Sequence, residues 1–250
     1  MPVTITLENH VLTLEIDRPE RRNTLDAPML EALREAFVRA REDEQVRVVF
    51  LHAQPGIFCA GGDLTEQLAN PSADPDTPTG RMIDALSACT KPVVACVEGP
   101  AVGLAVTMLY YCDLVYAGKR ALFSLPFTAL GLTPRYGVSI LALLNGGYHK
   151  AAEKILLSEP ISAIEALDMR IVSGVFEDDI VRAQCRARVE RLAKMSPEAV
   201  QSAKRLLREA WSRRLADLRA SETAAFAEVS TTEHSRQAVA AFLEGRQPSF

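Results

Sequence analysis

Val93-Val94-Ala95-Cys96-Val97-Glu98-Gly99-Pro100-Ala101-Val102-Gly103-Leu104-Ala105-Val106-Thr107 is the stretch on which the fold turns. Its first five residues are apolar without alternation, so the strand they form must be covered on both faces, as in a largely parallel sheet. Two glycines and a proline then turn the chain, and a helix opens at the second glycine. A buried strand, a glycine-bearing turn and a helix in succession make one unit of an α/β fold.

The same grammar recurs on either side. Val46-Arg47-Val48-Val49-Phe50-Leu51 and Leu114-Val115-Tyr116-Ala117 read as further buried strands, joined by right-handed crossovers. Val3, Ile5 and Leu7, then Val11 to Ile16, alternate around Asn9-His10 and predict a β-hairpin with one buried face. Asp26 is placed to cap a helix with Pro28 in its first turn and an apolar stripe of Leu30, Leu33, Phe37 and Ala40. Asn70 to Pro78 is rich in turn formers with little to bury, and is expected as a mobile loop. From about Ala151 strand signals nearly vanish. Helical periodicity covers 162–169, 179–195, 197–210 and 217–243, and Ser196-Pro197 marks a helix start.

Composition excludes several function classes. With 250 residues, 48% hydrophobic and 24% charged, the chain can bury a core without disulfides or metal. The net charge of -4 and the lack of a basic patch argue against nucleic acid. Arg182, Arg186, Arg188, Arg191 and Lys194 alternate with apolar positions and are expected on a solvated helix face. Cys59, Cys89, Cys96, Cys112 and Cys185 form no CxxC pair, which points to reduced thiols in a cytoplasmic compartment. The alternating N-terminus does not read as a signal segment, and no apolar run reaches the roughly 18 residues of a membrane span. The four histidines lack metal-ligand spacing, so no metal is expected.

Two segments carry the chemistry: Phe58-Cys59-Ala60-Gly61-Gly62-Asp63-Leu64, and Glu98 to Thr107. Each follows a buried strand and opens a helix, where main-chain N–H groups are left without intrahelical acceptors and the helix dipole adds partial positive charge. Two such turns meeting at one point would stabilise a developing oxyanion. Neither is a GxGxxG or GxxxxGK pattern, and there is no GxSxG, so neither nucleotide phosphate nor a hydrolase serine is signalled.

The order of motifs identifies more. Arg18 to Asp26, Phe58 to Leu64, Lys91-Pro92 leading into Gly99 to Leu104, Cys112-Asp113-Leu114-Val115-Tyr116-Ala117 and the tail Phe242 to Phe250 together resemble the enoyl-CoA hydratase/isomerase (crotonase) family over nearly the whole chain. The resemblance implies an α/β crotonase-type spiral of ββα repeats over 1–190 and a C-terminal helical region over 191–250 for oligomerisation and pocket cover. It also implies an acyl-CoA ligand, coenzyme A being part of the substrate and no other cofactor being needed, and a homotrimer or dimer of trimers. Carried over by position, the oxyanion donors are the N–H groups of Gly62 and Leu104. The rest of the substrate site is Arg22, Thr24, Leu25, Ala60, Gly61, Asp63, Leu64, Val102, Gly103, Thr107 and Phe127.

The pattern also breaks. The two glutamates of the family's hydratases correspond to Thr107 and Phe127, and simple hydration needs a positioned acid/base pair. The loops look more like the Δ3,Δ2-enoyl-CoA isomerase branch, whose glutamate falls at Arg135 in Gly131-Leu132-Thr133-Pro134-Arg135-Tyr136-Gly137. An arginine stays protonated and is no base. Asp63 is expected to cap the next helix, Glu66 to face solvent and Asp113 to be structural. Glu98 and Tyr136 remain as further candidates. Arg135 either turns outward or enters the acyl pocket to meet an anionic group. Enoyl-CoA isomerisation is thus the leading expectation. Hydration, another crotonase reaction on an anionic acyl-CoA, and a catalytically silent acyl-CoA-binding protein are the alternatives.

Overall fold

The computed structural model describes residues 2–65 and 76–249. Nine strands form two sheets among these residues: β1 (Val3–Glu8), β2 (Val11–Ile16), β3 (Val48–Ala53), β4 (Val93–Val97), β5 (Ala101–Val102), β6 (Leu114–Gly118), β7 (Leu122–Ser124), β8 (Ile161–Ser162) and β9 (Gly174–Phe176). The larger sheet runs β1-β2-β3-β4-β6-β9. Only its β1/β2 hairpin is antiparallel. The smaller sheet, β5-β7-β8, pairs β5 with β7 in parallel beside it.

The unbroken apolar runs of β3 and β4 have a direct cause. Along each strand successive side chains face opposite ways. Val49, Leu51, Val93, Ala95 and Val97 enter the main core, while Val48, Phe50, Val94 and Cys96 enter a second one beneath helix α7 (Val181–Ala193). Both faces are therefore dry. Helix α1 (Ala27–Glu42) starts as its sequence predicts: the Asp26 carboxylate accepts the Met29 N–H at 3.1 Å and Pro28 sits in the first turn. The other α-helices whose bounds fall within the described residues are α2 (Pro78–Ala88), α3 (Leu104–Tyr111), α4 (Val138–Gly146), α5 (Tyr148–Leu156), α6 (Ala163–Asp168), α8 (Pro197–Ser230) and α9 (Glu233–Leu243).

Four expectations are corrected or left open. The near absence of strand signal after Ala151 hides two short strands: β8 and β9 are two and three residues long, too short to leave a periodicity, yet β9 completes the large sheet beside β6. The helical stretches 197–210 and 217–243 are divided elsewhere. One helix of 34 residues runs to Ser230, and the break falls at Thr231-Thr232. No glycine or proline interrupts 198–230, whereas the Thr232 hydroxyl accepts the Ser235 N–H at 3.2 Å and starts a new helix. The arginine face of α7 is only partly solvated: Arg182 reaches Glu98, and Arg188 lies over Tyr116 and Phe176 at 4.7 and 4.9 Å. The expected loop 70–78 lies outside the described residues as far as Pro75, after which Thr77 caps α2. No helix among the described residues is long and apolar enough to cross a membrane.

Candidate active site

Beyond the carboxyl ends of β3 and β4, where ligands of open α/β sheets bind, three chain segments are laced together. Leu25 N–H donates to the Gly61 carbonyl at 2.8 Å, and Asp63 N–H to that of Leu25 at 3.2 Å. Cys59 exchanges bonds with the second turn, to Pro100 O at 3.1 Å and from Val102 N–H at 3.0 Å. Buried Asn23 clamps the first segment to the second. Its carbonyl oxygen takes Arg18 N–H at 2.7 Å and its amide donates to Ile57 O at 2.7 Å. Sequence reading missed Asn23, although its φ of +57° marks the αL conformation that asparagine tolerates.

This lacing uses up the amides of Gly61, Asp63, Val102 and Gly103, the last donating to Ser124 O at 2.8 Å. The amides of Gly62 and Leu104 receive no acceptor among the described residues. Leu104 is the first residue of α3, so its N–H has none by helix geometry. Gly61 sets the spacing between the turns. Its φ is +97°, and a Cβ there would meet Val102 O at 2.8 Å and Leu104 N at 3.7 Å. Glycine is needed for this approach.

Gly62 and Leu104 line a cavity of about 660 Å³. Arg135 and, of the predicted substrate residues, Arg22, Thr24, Ala60, Gly61, Asp63, Leu64, Val102, Gly103, Thr107 and Phe127 line it too. Leu25 does not. It is fully buried in the main core, and only its backbone serves the site, through the bridge to Gly62. Unforeseen members are Arg18, Thr79, Ser124, Leu130, Leu132 and Thr133. Phe226 of α8 and Phe242 and Leu243 of α9 close the cavity from the far end of the chain.

The acids sort as follows. The Asp63 carboxylate accepts Thr65 N–H at 2.9 Å, the expected cap. Glu98 is outside the cavity, held by Arg182 at 2.7 Å. Asp113 accepts from Val93 N–H at 2.7 Å and from the buried Lys204 ammonium at 2.6 Å, so it is structural. Glu66 lies outside the described residues. Thr107, where a hydratase acid would stand, turns its hydroxyl back onto Gly103 O at 3.2 Å. Tyr136 lines the cavity with its hydroxyl 3.1 Å from that of Thr77. Cys59, beside the first turn, is no nucleophile, because burial pushes its thiol up to about 12.

Arg135 does not turn outward. It is 9% exposed, with its guanidinium over the rings of Phe226 at 4.2 Å and Tyr136 at 4.8 Å. Its loop is anchored by Glu222 of α8, whose carboxylate accepts Gly137 N–H at 2.5 Å, Ser139 N–H at 2.8 Å and the Ser139 hydroxyl at 2.5 Å.

A family model described as enoyl-CoA hydratase/isomerase matches residues 6–250. The chain belongs to the enoyl-CoA hydratase/isomerase family. Among relatives, the 2,3-dehydroadipyl-CoA hydratase of Escherichia coli is 31% identical over 247 residues, covering 98% of this chain and 97% of that protein. Enoyl-CoA delta isomerase 2 of Rattus norvegicus is also 31% identical, over 83% of this chain and 54% of its own length. A solved enoyl-CoA hydratase/isomerase from Pseudoalteromonas atlantica superposes with a TM-score of 0.92 at 37% identity, covering 100% of both chains. The family's crotonase-type α/β fold and acyl-CoA chemistry therefore hold for this chain as well.

Proposed function

We propose that this enzyme binds an acyl-CoA with its thioester oxygen between the N–H groups of Gly62 and Leu104, which stabilise the enolate formed when an α-proton leaves. The observation that carries the reading is the pair of main-chain donors without acceptors on one cavity wall, beside the engaged amides of Gly61, Asp63, Val102 and Gly103. Such donors act where charge develops, and each is worth about 10²–10³ in rate. Double-bond isomerisation asks least of this machinery, since a single group can take the α-proton and return it at a different carbon, and the carboxylate of Asp63, on the cavity wall next to Gly62, is the acceptor at hand among the described residues. Addition of water would require an acid/base pair. The hydroxyl of Thr107 is occupied and Phe127 has no proton to give.

Incubation with 3-enoyl-CoA, followed by the absorbance of the conjugated 2-enoyl thioester, tests the reaction. Deuterium uptake at the α-carbon of a saturated acyl-CoA in D2O tests the enolate separately. Conjugation with α-exchange is expected. Saturable binding with neither signal would instead leave an acyl-CoA-binding protein without turnover.

We further read the enzyme as a homotrimer or dimer of trimers. Tyr148, Leu156, Leu157 and Ile164 stand exposed on and around α5 and α6, an apolar surface that another copy would cover. Sedimentation equilibrium at a mass of one chain would overturn that assembly.

A further inference from the structure

Cys59 is bonded to both turns of the site. Its main chain is zippered to the second turn: its N–H donates to Pro100 O at 3.1 Å, and its carbonyl accepts Val102 N–H at 3.0 Å. Its side chain is wholly buried beneath the first turn. There the sulfur accepts Gly61 N–H at 3.3 Å, and the thiol donates weakly to Gly61 O at 3.8 Å. Burial keeps this thiol neutral, so it can accept and donate at once without setting a negative charge beside a developing oxyanion.

The residue gripped is the one that aims a donor. In a trans peptide the C=O and the following N–H are coplanar and point opposite ways. The Gly61 carbonyl and the Gly62 N–H share one such plane, so whatever holds the carbonyl directs the amide. Leu25 N–H holds that carbonyl at 2.8 Å, and Asp63 N–H, on the next plane, returns to Leu25 O at 3.2 Å. The bridge between Leu25 and Gly62 thus leaves Gly62 N–H pointing away from Leu25, on the cavity wall. Glycines flank this plane on both sides, and no Cβ resists its rotation. Hydrogen bonds must fix it instead, and the Cys59 side chain supplies two of those made by Gly61.

We propose that Cys59 is a positioning residue for the oxyanion hole, its thiol fixing Gly61 so that the Gly62 N–H meets the same oxygen as the Leu104 N–H. This inference rests on the thioester reading given above and concerns how one of its two donors is held. Cys59 touches no substrate atom in this role.

The test compares Cys59→Ala, Cys59→Val and Cys59→Ser with Cys89→Ala as a packing control. Cys89 is also buried but lies outside this cavity, its thiol donating to Lys91 O at 3.6 Å. Three readouts are needed: kcat for α-proton exchange of a saturated acyl-CoA in D2O, affinity for free CoA, and the C=O stretching frequency of the bound thioester by isotope-edited infrared spectroscopy. In the wild type, binding should lower that frequency. Cys59→Ala should lower kcat about tenfold or more, short of the 10²–10³ that outright loss of a donor costs. Its bound carbonyl should move back toward the free frequency, with affinity for free CoA unchanged, because free CoA has no thioester oxygen. Cys59→Val fills the space without a hydrogen-bonding atom and should match it, which keeps a readout if Cys59→Ala does not fold. Cys59→Ser restores an acceptor and a donor and should recover most of both signals. Cys89→Ala should lower Tm alone. A full kcat in Cys59→Ala or Cys59→Val, a lowered kcat with an unshifted carbonyl, or Cys59→Ser as impaired as Cys59→Ala overturns the inference and leaves the thioester reading standing. No frequency change on binding to the wild type would bring down both.

Discussion

Gly61→Ala isolates the distance between the two turns. Gly61 has φ +97°, and the new methyl carbon would lie 2.8 Å from Val102 O, a contact that real Cβ atoms essentially never make. Val102 is held in place by its own N–H bond to Cys59 O at 3.0 Å, so the added carbon must push the second turn away from the first. Two effects follow. Forcing an L-residue into this backbone region costs roughly 1–3 kcal/mol, which for a chain of this size lowers Tm by several degrees, at roughly 2–4 °C per kcal/mol. Separating the Gly62 and Leu104 donors removes one of them from a shared oxygen, which lowers kcat/KM by about 10²–10³. Gly56 supplies the control, because it has φ +117° and nothing within 4 Å of a built Cβ. Gly56→Ala should lose stability with kcat/KM nearly unchanged. Thermal unfolding, kcat/KM for isomerisation and CoA affinity, measured on both variants, separate strain from approach. A folded Gly61→Ala enzyme with full kcat/KM would refute the argument.

Other outcomes follow from the same structure. His52 is buried against Phe50, near Glu15, Glu98, Arg182 and Arg186, and burial pushes its imidazole down to about 4. The unfolded chain protonates this group near 6.5, so stability present above that pH is lost as pH falls toward 4, by about 2 kcal/mol between pH 7 and 5. Urea unfolding of the wild type and His52→Gln should show that slope in the wild type and a flatter one in the variant. Glu222→Ala strips acceptors from two backbone amides and one hydroxyl, and should lower stability by roughly 2–4 kcal/mol, with Glu222→Gln milder. Denaturant midpoints decide, and an unchanged midpoint would show that the loop does not depend on α8.

Much of the fold is legible because it is local. The hairpin, the Asp26 cap and the buried strands β3 and β4 are each specified by residues within one element. The two glycine-bearing turns of the site are legible for the same reason, since a strand, a turn and a helix start carry their own signals. What escapes is set by contacts between distant segments. The resemblance implies that the C-terminal helices cover the pocket, but nothing near Phe226 or Phe242 singles out those side chains as the ones that line it. An isolated arginine defaults to solvent, whereas Arg135 lies inside, with Phe226 and Tyr136 over its guanidinium. Leu25 fails as a pocket residue because sequence position does not distinguish a side chain in the core from a backbone at the site. β9 is three residues long and is a strand by virtue of β6 beside it.

The most direct measurement is the ¹³C chemical shift of an acyl-CoA labelled at the thioester carbonyl, free and bound to the enzyme. Two amide donors on that oxygen polarise the carbonyl, so binding should move the resonance downfield, and Gly61→Ala should reduce the displacement. A bound carbonyl that resonates where the free one does would contradict the account, because the ligand would then occupy the cavity without meeting Gly62 and Leu104.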